Sequence, residues 1–145
     1  MARQNPPIYP FMGKDHVIEI EIPQAFLFKS EFGINLLKMF EDENINTIAV
    51  TLALDDEKII EIWWWFISKK LGNDPSTRAQ AIDNLTRESL SQFKDAFWAA
   101  IVNFSDPAIK EALIDLKRRL PGLLKKQMNQ SLDEFDNQNQ QNLSS

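Results

Sequence analysis

The sequence has no cysteine, one histidine and four glycines in 145 residues. Without cysteine the chain has no disulfide, no thiolate metal ligand and no cysteine nucleophile. The single histidine, His16, has no HxH, HxxxH or HExxH partner of the kind that zinc sites use. The scattered glycines do not form a phosphate-binding loop. We therefore predict no enzymatic activity, no metal and no cofactor, while a site of acidic residues assembled in three dimensions stays open as an alternative.

The chain also lacks a long apolar run and an excess of positive charge. Its longest near-continuous apolar stretch is 59–67, well below the about 20 residues that cross a bilayer. The segment Met1–Pro7 has no apolar core of a secretion signal. The net charge of −5 disfavours nucleic acid, and the one basic cluster, 117–119 with Lys125 and Lys126, suits the end of a helix. We expect a soluble cytoplasmic protein that binds neither nucleic acid nor membrane.

Apolar periodicity predicts a mainly α (α+β) fold, with an N-terminal β-strand or hairpin followed by a bundle of about five to six helices. Residues 17–22 alternate between isoleucine or valine and glutamate in a way typical of a half-buried strand. Residues 8–12 would pair with this strand across a turn at 13–15. The predicted helices cover 24–32, 45–54, 56–71, 75–84, 87–104 and a segment that begins at 107.

The segment 45–54 fits two structures. Its β-branched residues favour a strand, but Ile48, Ala49 and Leu52 follow helical spacing. We predict a helix, capped by Asn44 or Asn46.

The composition predicts one domain and two irregular ends. Residues 1–12 contain three prolines and should form an irregular N-terminal arm. Residues 13–126 should form a single helical domain with an N-terminal strand. Residues 127–145 are rich in Asn, Gln and Ser and should be disordered in the free protein. Leu132 and Phe135 in this tail are spaced to dock on a partner.

The run at 59–67 contains three consecutive tryptophans, Trp63, Trp64 and Trp65, followed by Phe66. Consecutive helical residues point about 100° apart, so the three indoles do not share one face. One interpretation is that all of them are core. The other is that Trp63, Trp64, Trp65 and Phe66 form a protein-binding surface, with Trp64 or Trp65 pointing outward. A membrane-surface helix is disfavoured by the acidic residues in the same helix.

The order of the elements resembles that of the tail assembly chaperones of long-tailed bacteriophages. In that pattern, a strand hairpin leads to a helix with a Gly-Ile-Ser/Asn-Leu corner, and a later helix begins with Leu-Thr-x-Glu and ends near a proline. The matching motifs in this chain are Gly33-Ile34 with Leu36, Leu85-Thr86 with Glu88, and Asp106-Pro107. The resemblance covers about residues 13–120. The tryptophan run and the Asn/Gln-rich end depart from it.

The resemblance implies a chaperone without enzymatic activity. Such a protein would bind the tape-measure protein or the tail-tube protein and keep it soluble until the tube polymerises. The alternative is a structural or scaffolding subunit that forms a homo-oligomer through the Trp63–Trp65 helix.

Overall fold

A computed structural model describes residues 6–119 and 122 of the chain. The strands are β1, Ile8–Phe11, and β2, Lys14–Val17; the helices are α1, Ile22–Phe32, α2, Asn44–Leu54, α3, Asp56–Leu71, α4, Pro75–Asp83, and α5, Arg87–Phe104. A 3-10 turn covers Leu36–Lys38, and a further helix covers 107–119. This confirms the predicted mainly helical fold with an N-terminal hairpin. The disordered tail predicted for 127–145 lies outside the described residues.

The described residues divide into two units, one that ends at Lys110 and one that begins at Glu111. The hairpin and α1 to α5 belong to the first unit. In the second, 111–119 is helical, and Arg119 lies 3.0 Å from the carboxylate of Asp115 one turn earlier. The division falls inside the single domain that the sequence predicted for 13–126, and that domain boundary stays a prediction.

The hairpin turns one residue earlier than predicted. Met12 and Gly13 both have positive φ angles, 52° and 73°, as the two central residues of a type I′ turn require. The antiparallel register then places Ile8 opposite Val17. Residues 8–11 are therefore the first strand of the hairpin, as the predicted pairing of 8–12 required, and not part of an irregular arm.

The strand predicted over 17–22 is wrong beyond Val17. The last ladder bond runs from the Ile18 N–H to the Pro7 oxygen, at 2.9 Å, and the prolines before β1 have no N–H to continue it. Ile18 and Ile20 are buried, as their alternation predicted, but Ile22 is exposed because it begins α1.

Local capping chemistry fixes the starts of α3, α4 and α5 where the sequence predicted them. The side chains of Asp55, Asp74 and Thr86 each accept a hydrogen bond from a backbone N–H three residues later, at 3.1 Å. The hydroxyls of Ser76 and Thr77 also donate to Asp74 and lower its pKa to about 2. These caps need no distant contact, which is why the sequence alone reveals them.

Helix α2 is confirmed, but its predicted cap is wrong. The N-cap residue of α2 is Glu43, which has a left-handed backbone conformation with a φ of 61°. The Asn44 side chain is buried instead and closes the preceding corner. Its amide donates to the backbone oxygens of Lys38 and Glu41 at 2.9 and 2.7 Å, and its oxygen accepts from the Asn35 N–H at 3.1 Å. The asparagine thus satisfies backbone groups of a loop rather than of the helix.

A continuous group of aromatic rings joins the hairpin to α1, α3 and α5. Tyr9 of β1 meets Phe93 of α5 edge-on at 5.6 Å, and Phe11 meets Trp63 of α3 edge-on at 5.2 Å between ring centroids. The Trp63 indole N–H also donates to the Tyr9 hydroxyl at 3.1 Å. Burial raises the pKa of the Tyr9 phenol, while this bond acts in the opposite direction. The hydroxyl therefore stays a neutral partner that satisfies the buried indole.

We predict that Tyr9→Phe lowers the free energy of unfolding by about 1–3 kcal/mol, because it leaves the Trp63 N–H buried without an acceptor. Urea denaturation followed by circular dichroism measures the loss. In a Trp63→Phe background the same substitution should cost much less, since no donor is left unpaired. An equal cost in both backgrounds would contradict this role for the hydrogen bond.

Candidate protein-binding surface

The structure places most of the tryptophan run in the core. Trp63 is 0 % exposed, Phe66 is 5 % exposed and Trp64 is 9 % exposed. Trp63 and Phe66 lie on the same side of α3 as the fully buried Ile59 and Ile62, at the i, i+3, i+4, i+7 spacing of one helix face. These side chains do not form an exposed surface in the folded chain.

Trp65 is the only partly exposed indole of the run. Its ring meets Phe28 and Phe32 of α1 edge-on, with centroids 5.7 and 6.0 Å apart. The ammonium of Lys69 lies 4.4 Å above the ring centroid, a cation–π contact. Burial lowers the pKa of Lys69. The indole thus keeps only part of its surface for a partner, because α1 and Lys69 cover the rest.

The structure corrects the predicted surface of Trp63, Trp64, Trp65 and Phe66 by burying three of its four members. The physical reason is that α3 has neighbours on more than one side: α1, α2, α4, α5 and β2 all contact it. Partner binding through Trp65 stays a prediction. The other predicted partner residues, Leu132 and Phe135, lie outside the described residues.

Exposed apolar side chains concentrate elsewhere, in residues 8–40. Among the described residues, twelve large apolar side chains are exposed, and eight of these lie in that stretch. The eight are Ile8, Met12, Val17, Ile22, Phe26, Leu27, Leu37 and Phe40. Single exposed apolar residues are ordinary, but several on neighbouring elements mark an interaction surface.

The outer face of α1 is the most apolar part of this stretch. Ile22, Phe26 and Leu27 are each 59–60 % exposed, whereas Ala25 and Phe28 on the other side are buried. At about 100° per residue, Ile22 and Phe26 lie about 40° apart around the helix axis, and Leu27 lies about 100° beyond Phe26. A helix that is apolar on both sides is normally covered on both sides. We call Ile22, Phe26 and Leu27 the α1 outer face.

The sequence also indicates this face of α1, although the predicted binding surface was placed on α3. Phe26, Leu27 and Phe28 are three consecutive large apolar residues in a predicted helix, the same pattern that distinguishes Trp63–Trp65. In α3 the additional faces are covered by other elements. In α1 the face carrying Phe26 and Leu27 is exposed.

The stretch of chain that contains the α1 outer face is acidic. The stretch 14–43 contains seven acidic residues and three lysines. Exposed Glu19 precedes α1, exposed Glu31 lies in its last turn, and Lys29 is its only cationic residue. At an exposed site, such charges steer an oppositely charged partner and repel one of like charge.

A surface groove runs along β1, and the described acidic and histidine side chains do not group around a metal position. A shallow groove of about 410 Å³ lies between β1 and α5, with Ile8, Pro10, Ala96 and Ala99 in its walls. Within 6–119 and 122, no three His, Asp or Glu side chains are placed to hold a metal ion. No helix in the described part of the chain is both long enough and apolar enough to span a membrane.

The single histidine is buried in the hairpin. Its Nε2 atom lies 3.1 Å from the Phe11 carbonyl oxygen, so Nε2 carries the hydrogen of the neutral ring. The buried Nδ1 has no hydrogen-bond partner in the described chain. Burial lowers the pKa of His16, and the nearby cations Lys70 and Lys14 lower it further, against the opposing effect of the Phe11 carbonyl. This arrangement suits a neutral structural histidine.

Comparison with known proteins finds no family model, no curated protein and no solved structure that matches this chain.

We predict that alanine substitution separates the two tryptophans that follow Trp63. Trp64→Ala should lower the free energy of unfolding by about 3–5 kcal/mol, the usual cost of emptying a core site of this size. Trp65→Ala should cost about 1–2 kcal/mol, because it loses ring contacts but little fully buried area. Urea titration of both variants tests the order, and equal losses would mean that Trp65 is as much a core residue as Trp64.

We also predict that stability falls between about pH 7 and about pH 5. The unfolded chain takes up a proton near the ordinary His pKa of 6.5, whereas folded His16, with its lowered pKa, stays neutral to lower pH. The unfolded state then binds more protons, so the free energy of unfolding falls by up to about 1.4 kcal/mol per pH unit. Above pH 6.5 both states are neutral and this contribution is fully present.

His16→Phe is the matched control for the pH experiment, since it removes the only histidine of the chain. The thermal midpoint of this variant should change much less between pH 7 and pH 5 than the thermal midpoint of the wild type. A wild-type protein that is equally stable at both ends of the range would show that the folded ring takes up its proton as readily as the unfolded one.

Proposed function

We propose that this protein is an assembly chaperone for a phage tail protein, and that it holds apolar segments of its client in a soluble complex. The observation that carries the proposal is the concentration of exposed apolar side chains within 8–40. The client class comes from the resemblance to tail assembly chaperones, whose clients are the tape-measure and tail-tube proteins.

Three features support a binding role. Six of the eight apolar side chains lie on the hairpin or on α1, so their backbone is already ordered before a partner binds. A tape-measure protein is a long helical rod with apolar stripes, which needs such surfaces before it is enclosed by the tube. The acidic charge of the chain, −5 overall, would keep the complex dispersed.

The alternative of a scaffold that assembles through α3 has less support. It needs the indoles of Trp63 and Trp64 at the surface, and both are buried within the described fold. Only Trp65 is left to form such a contact, and a single partly covered side chain falls far short of the about 800 Å² per partner typical of a stable interface.

We predict that co-expression with a tape-measure protein increases the soluble fraction of that protein severalfold over expression alone. Sedimentation of lysates followed by quantitative gel analysis measures the fraction, and co-purification through a tag on this chain measures the complex. Trp65→Ala should rescue solubility as well as the wild type, because the exposed apolar stretch lies elsewhere.

The same solubility with and without this chain would contradict the chaperone function. If the Trp65→Ala variant is folded by circular dichroism but does not keep the tape-measure protein soluble, the binding surface lies on α3.

A further inference from the structure

We infer that the α1 outer face is the docking site for a cationic amphipathic helix, one whose apolar stripe is flanked by Lys or Arg. This inference rests on the proposed function and specifies the chemistry of the client segment.

The geometry of α1 sets the form of the partner. The helix has 11 residues, so it is roughly 16 Å long. Ile22 and Phe26 form one row along it, and Leu27 lies beside them. Such a surface suits a second helix of about three turns, whose i, i+3, i+4 and i+7 residues rest against these side chains. An extended peptide would instead need a free strand edge, and α1 has no unpaired strand groups to offer.

The charges around the face select a cationic partner. Glu19, three residues before α1, and Glu31, in its last turn, are exposed, while Lys29 in that same turn is the one cation of α1. The wider stretch 14–43 carries four more acidic than basic residues, seven against three. Over this stretch the net charge is negative, so a helix flanked by Lys or Arg is attracted to it, whereas an acidic helix is repelled.

The same charges argue against a second copy of this chain as the occupant. A two-fold contact between α1 helices would bring together two stretches that each carry net negative charge. A parallel arrangement would place equivalent glutamates side by side. One face of 11 residues is also too small on its own for the about 800 Å² per partner that stable dimers bury.

The test uses two synthetic peptides of about 18 residues and the full-length chain. Both peptides have leucine at helical stripe positions; one has lysine at the flanking positions and the other has glutamate. Fluorescence anisotropy of labelled peptide gives the two dissociation constants. We expect the Leu/Lys peptide to bind at least about tenfold more tightly. This preference should shrink as salt is raised.

Substitutions at exposed positions test the location without disturbing the core. The double variant Phe26→Gln/Leu27→Gln should bind the Leu/Lys peptide at least about tenfold more weakly. The matched control, Val50→Gln on α2, also removes one exposed apolar side chain and should bind like the wild type. Circular dichroism and thermal midpoints verify that all variants are folded. Glu19→Gln/Glu31→Gln should reduce the preference for lysine over glutamate.

Three outcomes would overturn the inference. The first is equal binding of both peptides, and the second is wild-type affinity in the Phe26→Gln/Leu27→Gln variant. The third is self-association of the wild type in gel filtration that the double variant abolishes, which would make a second copy the occupant. If co-expression still keeps a tape-measure protein soluble in any of these cases, the chaperone function stands and its docking site lies elsewhere on the chain.

Discussion

The hydrogen bond from the Trp63 indole to the Tyr9 hydroxyl lies at the centre of the aromatic packing that holds the fold together. It joins two residues that are 54 positions apart and lies within the ring contacts that connect the hairpin, α3 and α5. A buried indole N–H needs an acceptor, and the hairpin supplies one. Together with these ring contacts it holds β1 against α3 and α5.

The enclosed set is large and explains the position of the remaining apolar residues. Phe28 of α1 packs against Phe97 of α5 and Trp65 of α3, so the inner side of α1 completes the core. No described element covers its outer side, where Phe26 and Leu27 are exposed. The large apolar side chains are thus divided between a core centred on α3 and an exposed face on α1. That division underlies the proposed binding role.

The sequence predicts the elements that local chemistry determines. The N-caps Asp55, Asp74 and Thr86 and the left-handed Gly33 after α1 are set by residues within one turn of each other, so helices α1 and α3 to α5 begin or end where expected. The hairpin register is less accessible, since the type I′ turn at Met12-Gly13 lacks the Asn-Gly or Asp-Gly pair that usually announces it. The cap of α2 is equally hard to predict, because a buried Asn44 serves the preceding loop.

The binding surface was harder to predict than the fold, for a physical reason. Periodicity shows that Trp63, Trp64 and Trp65 point in different directions, but it does not show how many neighbours a helix has. Helix α3 has neighbours on several sides and α1 has fewer, and this difference arises only from long-range packing. Phe26, Leu27 and Phe28 of α1 also point in different directions. No described element covers the side of α1 that carries Phe26 and Leu27.

Site-specific photocrosslinking can establish whether the binding surface lies on α1. A benzoylphenylalanine at position 26, 50 or 65 of the full chain, co-expressed with a tape-measure protein, reports which surface touches the client. We expect a crosslink from position 26 and none from position 50. A crosslink from position 65 with none from position 26 would place the client on α3 and contradict a binding surface on α1.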